Sequence, residues 1–155
     1  MERPEQGLVI SENNDWVLVK HIPVDYVIDG FRLYKKAFIE KRMRSDKEIQ
    51  IEKVLNLKKV STEAPKEFIF TDTIGFLRWV EEKYGIFEFQ DYDDTELTYG
   101  KVNKVDNNML IIDMIKSDGT VEVEYDYEYD LNEIRAITFE TDYHISIQLL
   151  WKSNL

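Results

Sequence analysis

The chain has 155 residues, with 20 Lys and Arg against 31 Asp and Glu and a formal net charge of −11. Its 43% hydrophobic and 13% aromatic content supplies a domain-sized core and excludes global disorder. The absence of Cys excludes disulfides, Cys-based zinc sites and thiol catalysis, and the acidity weighs against phosphate-backbone binding by the chain as a whole.

Residues 1–14 read as a lead-in broken by Pro4, Gly7 and Asn13-Asn14. Trp16–Ile22 is rich in β-branched and aromatic residues and predicts a strand that Pro23 ends. Tyr26–Ile28 is a short apolar run, and Asp29-Gly30 is a turn signal before Phe31–Tyr34 and Ala37–Ile39. Residues 16–44 therefore predict a strand–turn–strand unit. Ser45-Asp46-Lys47-Glu48 has the form of a capping box. The helix after it places Ile51, Val54, Leu55 and Lys58 on one face and ends near Val60. Residues 61–67 form a loop, and Glu67–Phe70 is a candidate short strand. Thr71 or Asp72 caps a second helix with Phe76, Leu77, Val80 and Tyr84 on one stripe, and Gly85 sits at the left-handed C′ position.

From residue 86 every segment predicts a strand. Ile86–Phe89 comes first, and Asp91–Glu96 is a polar loop. Leu97–Val105, Met109–Ile115, Val121–Tyr129, Ile134–Phe139 and Tyr143–Trp151 follow, with turns at Asp106-Asn107-Asn108 and Ser117-Asp118-Gly119. Met109–Ile115 is the most apolar strand and is expected at the sheet centre. Five short strands joined by tight turns close economically as a small barrel, which removes open edges. Trp16, Trp79, Ile145, Ile147, Leu149 and Trp151 read as core. Alternatively, a Trp or the tyrosines of 125–129 line a peptide groove.

Residues 97–151, with Tyr99-Gly100-Lys101-Val102 on the first strand and Leu131-Asn132-Glu133-Ile134 before the fourth, resemble an Sm-like or SH3-like small barrel. The layout is similar to uncharacterised bacterial proteins that join such a barrel to an N-terminal half. The resemblance implies a nucleic-acid-binding alternative, but Sm-like RNA binders use basic and polar loops, and the loops here are largely acidic. The expected class is α+β and mostly β: an N-terminal strand and helix unit over 1–85, a five-stranded barrel over 86–155, and two helices. The first half also shows strands punctuated by Asp-Gly, the pattern of a degenerate second barrel, although its sequence does not align with the second half.

Charge is divided along the chain. Residues 15–60 carry 11 basic against 7 acidic groups, and residues 86–143 carry 4 against 16. The densest acidic run is Val121–Asp130. As a regular strand it would place Glu122, Glu124, Asp126, Glu128 and Asp130 on one face and Val121, Val123, Tyr125, Tyr127 and Tyr129 on the other. Such a face is either solvated and offset by the basic first third, or a docking stripe for a basic protein. The basic clusters are Lys35-Lys36, Lys41-Arg42 with Arg44, and Lys58-Lys59. Tyr34 and Phe38 interleave with the first, as in nucleic-acid binders. Lys35, Lys36, Arg42 and Arg44 are the candidate contacts for that alternative.

No catalytic or phosphate-binding motif is present, and an EF-hand starting at Asp91 fails because its sixth and twelfth positions are Glu96 and Val102. His21 and His144 read as packed or surface strand residues rather than ligands. No cofactor or metal is expected. No segment has the form of a secretory leader or membrane span, so the expected setting is cytoplasmic. The favoured function is a non-catalytic interaction protein of the immunity or inhibitor kind that docks a basic partner on its acidic strand. The alternatives are a nucleic-acid-binding module and an enzyme with a site of scattered carboxylates.

Overall fold

The computed structural model describes residues 5–92 and 96–155. Pro4 of the lead-in and Asp93, Asp94 and Thr95 of the polar loop lie outside the described residues. The strands are β1 (Gln6–Glu12), β2 (Trp16–Ile22), β3 (Phe31–Lys35), β4 (Phe87–Asp91), β5 (Thr98–Asp106), β6 (Met109–Ile115), β7 (Tyr127–Asp130) and β8 (Ile134–Phe139). The helices are α1 (Asp46–Leu57), α2 (Thr73–Tyr84) and α3 (Asp142–Ser153). The chain is thus α+β and mostly β. The strands form one antiparallel sheet in the order β1-β2-β3-β8-β4-β5-β6-β7. The sheet is open. β1 and β7 are its edges, and the ladders do not close five strands into a barrel.

Three sequence expectations need correction. Gln6–Glu12 is an edge strand rather than a lead-in. Its residues alternate between exposed and half-buried, and an edge needs only one apolar face. Glu67–Phe70 is not a strand. Phe68 and Phe70 instead pack on Phe76, and Phe68 also meets Trp79 edge-on at 5.6 Å. The largest change is Tyr143–Trp151, which is helical. Thr141 caps α3 by accepting from the His144 amide at 3.1 Å, and Asp142 lies in its first turn. The buried positions His144, Ile147 and Trp151 fall at i, i+3 and i+7, so the alternation of Ile145, Ile147, Leu149 and Trp151 is incidental.

Other expectations hold with differences. Asp72 caps α2, accepting from the Gly75 amide at 2.9 Å, and Gly85 ends it with φ 91°. Helix α1 starts where the capping box predicts, but the Ser45 hydroxyl donates to the Glu48 carboxylate rather than capping the N3 amide. β6 is second from an edge, while β8 and β4 occupy the centre, held on both sides.

One core joins the two halves. Trp16, Leu18 and Leu33 from β2 and β3 pack with Phe76, Leu77 and Val80 of α2, and with Phe87, Phe89, Ile137 and Phe139 of β4 and β8. On the other face of the sheet, α3 sets Ile147 and Trp151 against Ile86, Tyr99 and Ile115. Helix α1 covers Ile22 with Ile51 and Leu55.

Two pairs of strands share one register. In β1–β2 the partners include Gly7 with His21, Leu8 with Lys20 and Val9 with Val19, and the ladder then skips Ile10. In β5–β6 they are Gly100 with Met114, Lys101 with Asp113 and Val102 with Ile112, and the ladder then skips Asn103. Every position is displaced by 93 residues, bulge included. Ladders β2–β3 and β6–β7 also match: Trp16–Lys35 corresponds to Met109–Asp130, and Leu18–Leu33 to Ile111–Glu128. Both β3 and β7 run into a 3-10 turn, Lys36–Phe38 and Leu131–Glu133, which ends in extended Ile39 (φ −88°, ψ 113°) and Ile134 (φ −75°, ψ 114°).

Candidate functional site

The acidic run begins at the Ser117–Gly119 hairpin, where Gly119 takes φ 83°. Val121 makes an isolated bridge to Ile115, and the Glu122 amide donates to the Met114 carbonyl at 2.8 Å. The regular ladder resumes only at Tyr127, opposite Ile112. Between them the chain bulges out, leaving Val123 86% and Tyr125 65% exposed. The strict alternation therefore holds for Tyr127–Asp130, where Tyr127 and Tyr129 lean on the core. Glu124, Asp126 and Glu128 are exposed, and Glu122 and Asp130 are half-buried.

Asp130 is tied down, accepting from the Asn132 amide at 2.9 Å and the Asn108 side chain at 3.2 Å. Glu122 accepts from the Glu124 amide at 3.0 Å. Among the described residues, none of the five carboxylates makes an ion pair with a basic side chain.

The outer edge of β7 is open. The Leu131 amide donates to the Asn108 carbonyl, so by the two-residue alternation the backbone groups of Tyr127 and Tyr129 also point at β6. Those of Glu128, and the carbonyl of Asp126 just before the ladder, point outward, where no described strand meets them.

The basic candidates are already engaged. Lys35 lies 5.4 Å from the Trp16 ring centre and donates to the Leu131 carbonyl at 3.0 Å, and its burial lowers its pKa. Glu12 holds Lys36 at 2.8 Å and Arg42 at 3.0 Å. These two cations draw its carboxyl down to about 2, with the Arg42 hydrogen bond the larger cause. Arg44 forks onto Glu52 at 2.7 Å. Lys36 and Arg42 thus meet at Glu12, while Lys35 and Arg44 are held apart from them.

A polar row not foreseen from the sequence crosses the middle of the sheet. Arg32 of β3 lies opposite Thr138 of β8, which is opposite Glu88 of β4, which is opposite Tyr99 of β5. Direct partners share a face, so the four side chains form one line. The Arg32 Nε donates to the Thr138 Oγ1 at 2.9 Å, and the Tyr99 hydroxyl donates to Glu88. Glu88 is only 1% exposed, and burial pushes its carboxyl up to about 6, against the opposing pull of the Tyr99 hydrogen bond and the Arg32 charge. Arg32 also reaches Glu5 at 2.9 Å.

His21 lies near this row. Burial, and then the Arg32 charge, lowers its pKa to about 4. His144 accepts from the Glu140 amide at Nδ1, so Nε2 carries the proton and donates to the Ile86 carbonyl at 2.9 Å. Signals for the row were present in the sequence: Arg32 stands between Phe31 and Leu33, and Glu88 between Phe87 and Phe89. A charged residue inside an apolar strand needs a partner, and only the pairing of strands supplies it.

Open depressions lie elsewhere. One is lined by Lys36, Ile39, Glu40, Lys41 and Arg42, and another by residues that include Trp16, Lys35, Phe70 and Asn132. Among the described residues, no three His, Asp or Glu are placed to hold a metal ion, and no helix is long and apolar enough to cross a membrane. No protein-family model matches the chain, and no curated protein or solved structure is significantly similar to it.

Proposed function

We propose that the chain is a non-catalytic interaction protein that takes up a basic, extended segment along the outer edge of β7. The open edge carries the reading. Glu128 and the carbonyl of Asp126 turn outward, and no described cation pairs the two carboxylates. An added strand satisfies those backbone groups, and its cations meet the carboxylates. Exposed Val123 and Tyr125 supply apolar contact beside them. An immunity or inhibitor protein covering a basic active site would act in this way. Strands β4–β8, with the 3-10 turn between the last two, support a small-barrel layout for the second half. The nucleic-acid alternative gains no support, because the four basic residues are divided among separate partners, Lys35 on Leu131, Lys36 and Arg42 on Glu12 and Arg44 on Glu52, rather than joined in one patch.

The test is an NMR titration of the intact protein with an extended peptide of alternating Arg and Val, and with its Glu-substituted counterpart. The basic peptide is expected to shift the amides of 122–130, with binding that weakens as salt rises. Equal binding of both peptides, or shifts confined to other strands, would overturn the reading.

A further inference from the structure

We infer that the basic segment received by β7 is residues 39–44 of a second copy of this chain. The inference rests on the edge-docking reading above and names its occupant.

The structure contains one solved instance of the contact. β1–β2–β3 and β5–β6–β7 are built on one register, and β3 corresponds to β7 with a displacement of 95 residues. After β7, the 3-10 turn delivers Ile134–Phe139 as β8, and β8 lies along the outer edge of β3. After β3, the matching turn delivers residues 39–44, which join no ladder. Glu40–Arg44 are all exposed, and Met43 is 56% so. The matching turn therefore leaves an extended segment that joins no ladder, while the outer edge of β7 meets no described strand.

The register of the existing contact fixes the register of the missing one. Phe31 pairs with Phe139, Arg32 with Thr138, Leu33 with Ile137 and Tyr34 with Ala136. Displaced by 95 residues on both strands, these become Asp126 with Arg44, Tyr127 with Met43, Glu128 with Arg42 and Tyr129 with Lys41. Both carboxylates fall opposite arginines, and Met43 falls opposite a tyrosine. A shift of one residue leaves Asp126 opposite Met43 or Ser45 and keeps at most one charge pair, Glu128 with Lys41. Glu128 is also the residue whose backbone groups face outward, with the carbonyl of Asp126 beside it, as Leu33 faces β8 in the existing contact.

Docking releases Arg42 from Glu12 and Arg44 from Glu52. Both are surface pairs of small worth, and Glu12 keeps Lys36. The two surfaces are different, so the contact is head-to-tail. It propagates from copy to copy until a ring closes or a chain extends.

Sedimentation velocity of the intact protein at low salt tests this. The expected result is mass above the 18.5 kDa monomer that rises with concentration. Glu128→Arg and Arg42→Glu place like charges opposite each other. Each is expected to weaken self-association up to about tenfold. Both positions are exposed, so the fold is retained, and far-UV circular dichroism checks it. Mixing the two variants restores opposite charges at every junction and is expected to restore association. A monomer at every concentration, or association that neither variant weakens, would overturn the inference. If the monomer still docks the Arg–Val peptide at 122–130, the edge reading stands and only the occupant is wrong. If it docks neither, both fail.

Discussion

Glu88 shows how one side chain can carry the pH response of the fold. Its carboxyl is buried beside Phe87 and Phe89, where the neutral form is favoured. Its pKa is raised from 4.5 to about 6 in the folded chain. Between those values the folded state holds a proton that the unfolded state has released, so stability falls as pH rises through the window. The loss from this group is about 2 kcal/mol, complete above pH 6. His21 acts in the opposite sense. Its pKa is lowered to about 4, so its contribution is present above its ordinary value of 6.5 and is lost as pH falls toward 4. Glu88→Gln keeps an acceptor for the Tyr99 hydroxyl and removes only the Glu88 component. Urea unfolding at pH 4.5 and 7 is expected to show a stability change about 2 kcal/mol more favourable to the higher pH in the variant. Equal changes in the two proteins would show that Glu88 titrates normally.

At the scale of elements, α3 is decided by its cap and its contacts. Ile145 to Trp151 satisfies a strand pattern and a helix pattern together, because Ile147 and Trp151 belong to both. The Thr141 hydroxyl starts the helix, and Gly85 lets Trp151 approach. A Cβ on Gly85 would come within 2.6 Å of the Trp151 ring. Thr141→Ala is expected to cost about 1 kcal/mol in urea unfolding, and Thr141→Ser much less. A loss equally large with Ser would mean that buried methyl packing, not the cap, matters there. The first strand is a different case: the apolar run Leu8–Ile10 is short and flanked by the breakers Gly7 and Asn13-Asn14, and its strand state is set by pairing with β2. The regular alternation of Val121–Tyr129 promised more strand than exists, since alternation says nothing about where a ladder bulges.

At the scale of the molecule, the two halves are joined through β3–β8 and one apolar core. Calorimetry is expected to show one unfolding transition for the whole chain, with matching van't Hoff and calorimetric enthalpies. Two resolved transitions would show that residues 1–85 and 86–155 fold as separate units. The division of charge takes on meaning at this scale. The 31 acidic residues are not a uniform coat. In the first half, Glu5, Glu12 and Glu52 are consumed by Arg32, Arg42, Lys36 and Arg44, while among the described residues the carboxylates of 122–130 make no ion pair.

The sequence by itself determined the α+β class, the helices α1 and α2, the turns at Gly30, Gly85 and Gly119, and most of the strands, because these follow from local propensity and short-range hydrogen bonds. It also marked Glu122–Asp130 and Arg42–Arg44 as unusual. It did not reveal that the register of β1–β2–β3 recurs in β5–β6–β7, or that β8 of the second half lies along β3 of the first; only the tertiary structure decided both. Strand pairing between distant segments depends on which edges remain open after the core has formed, and no local pattern encodes it.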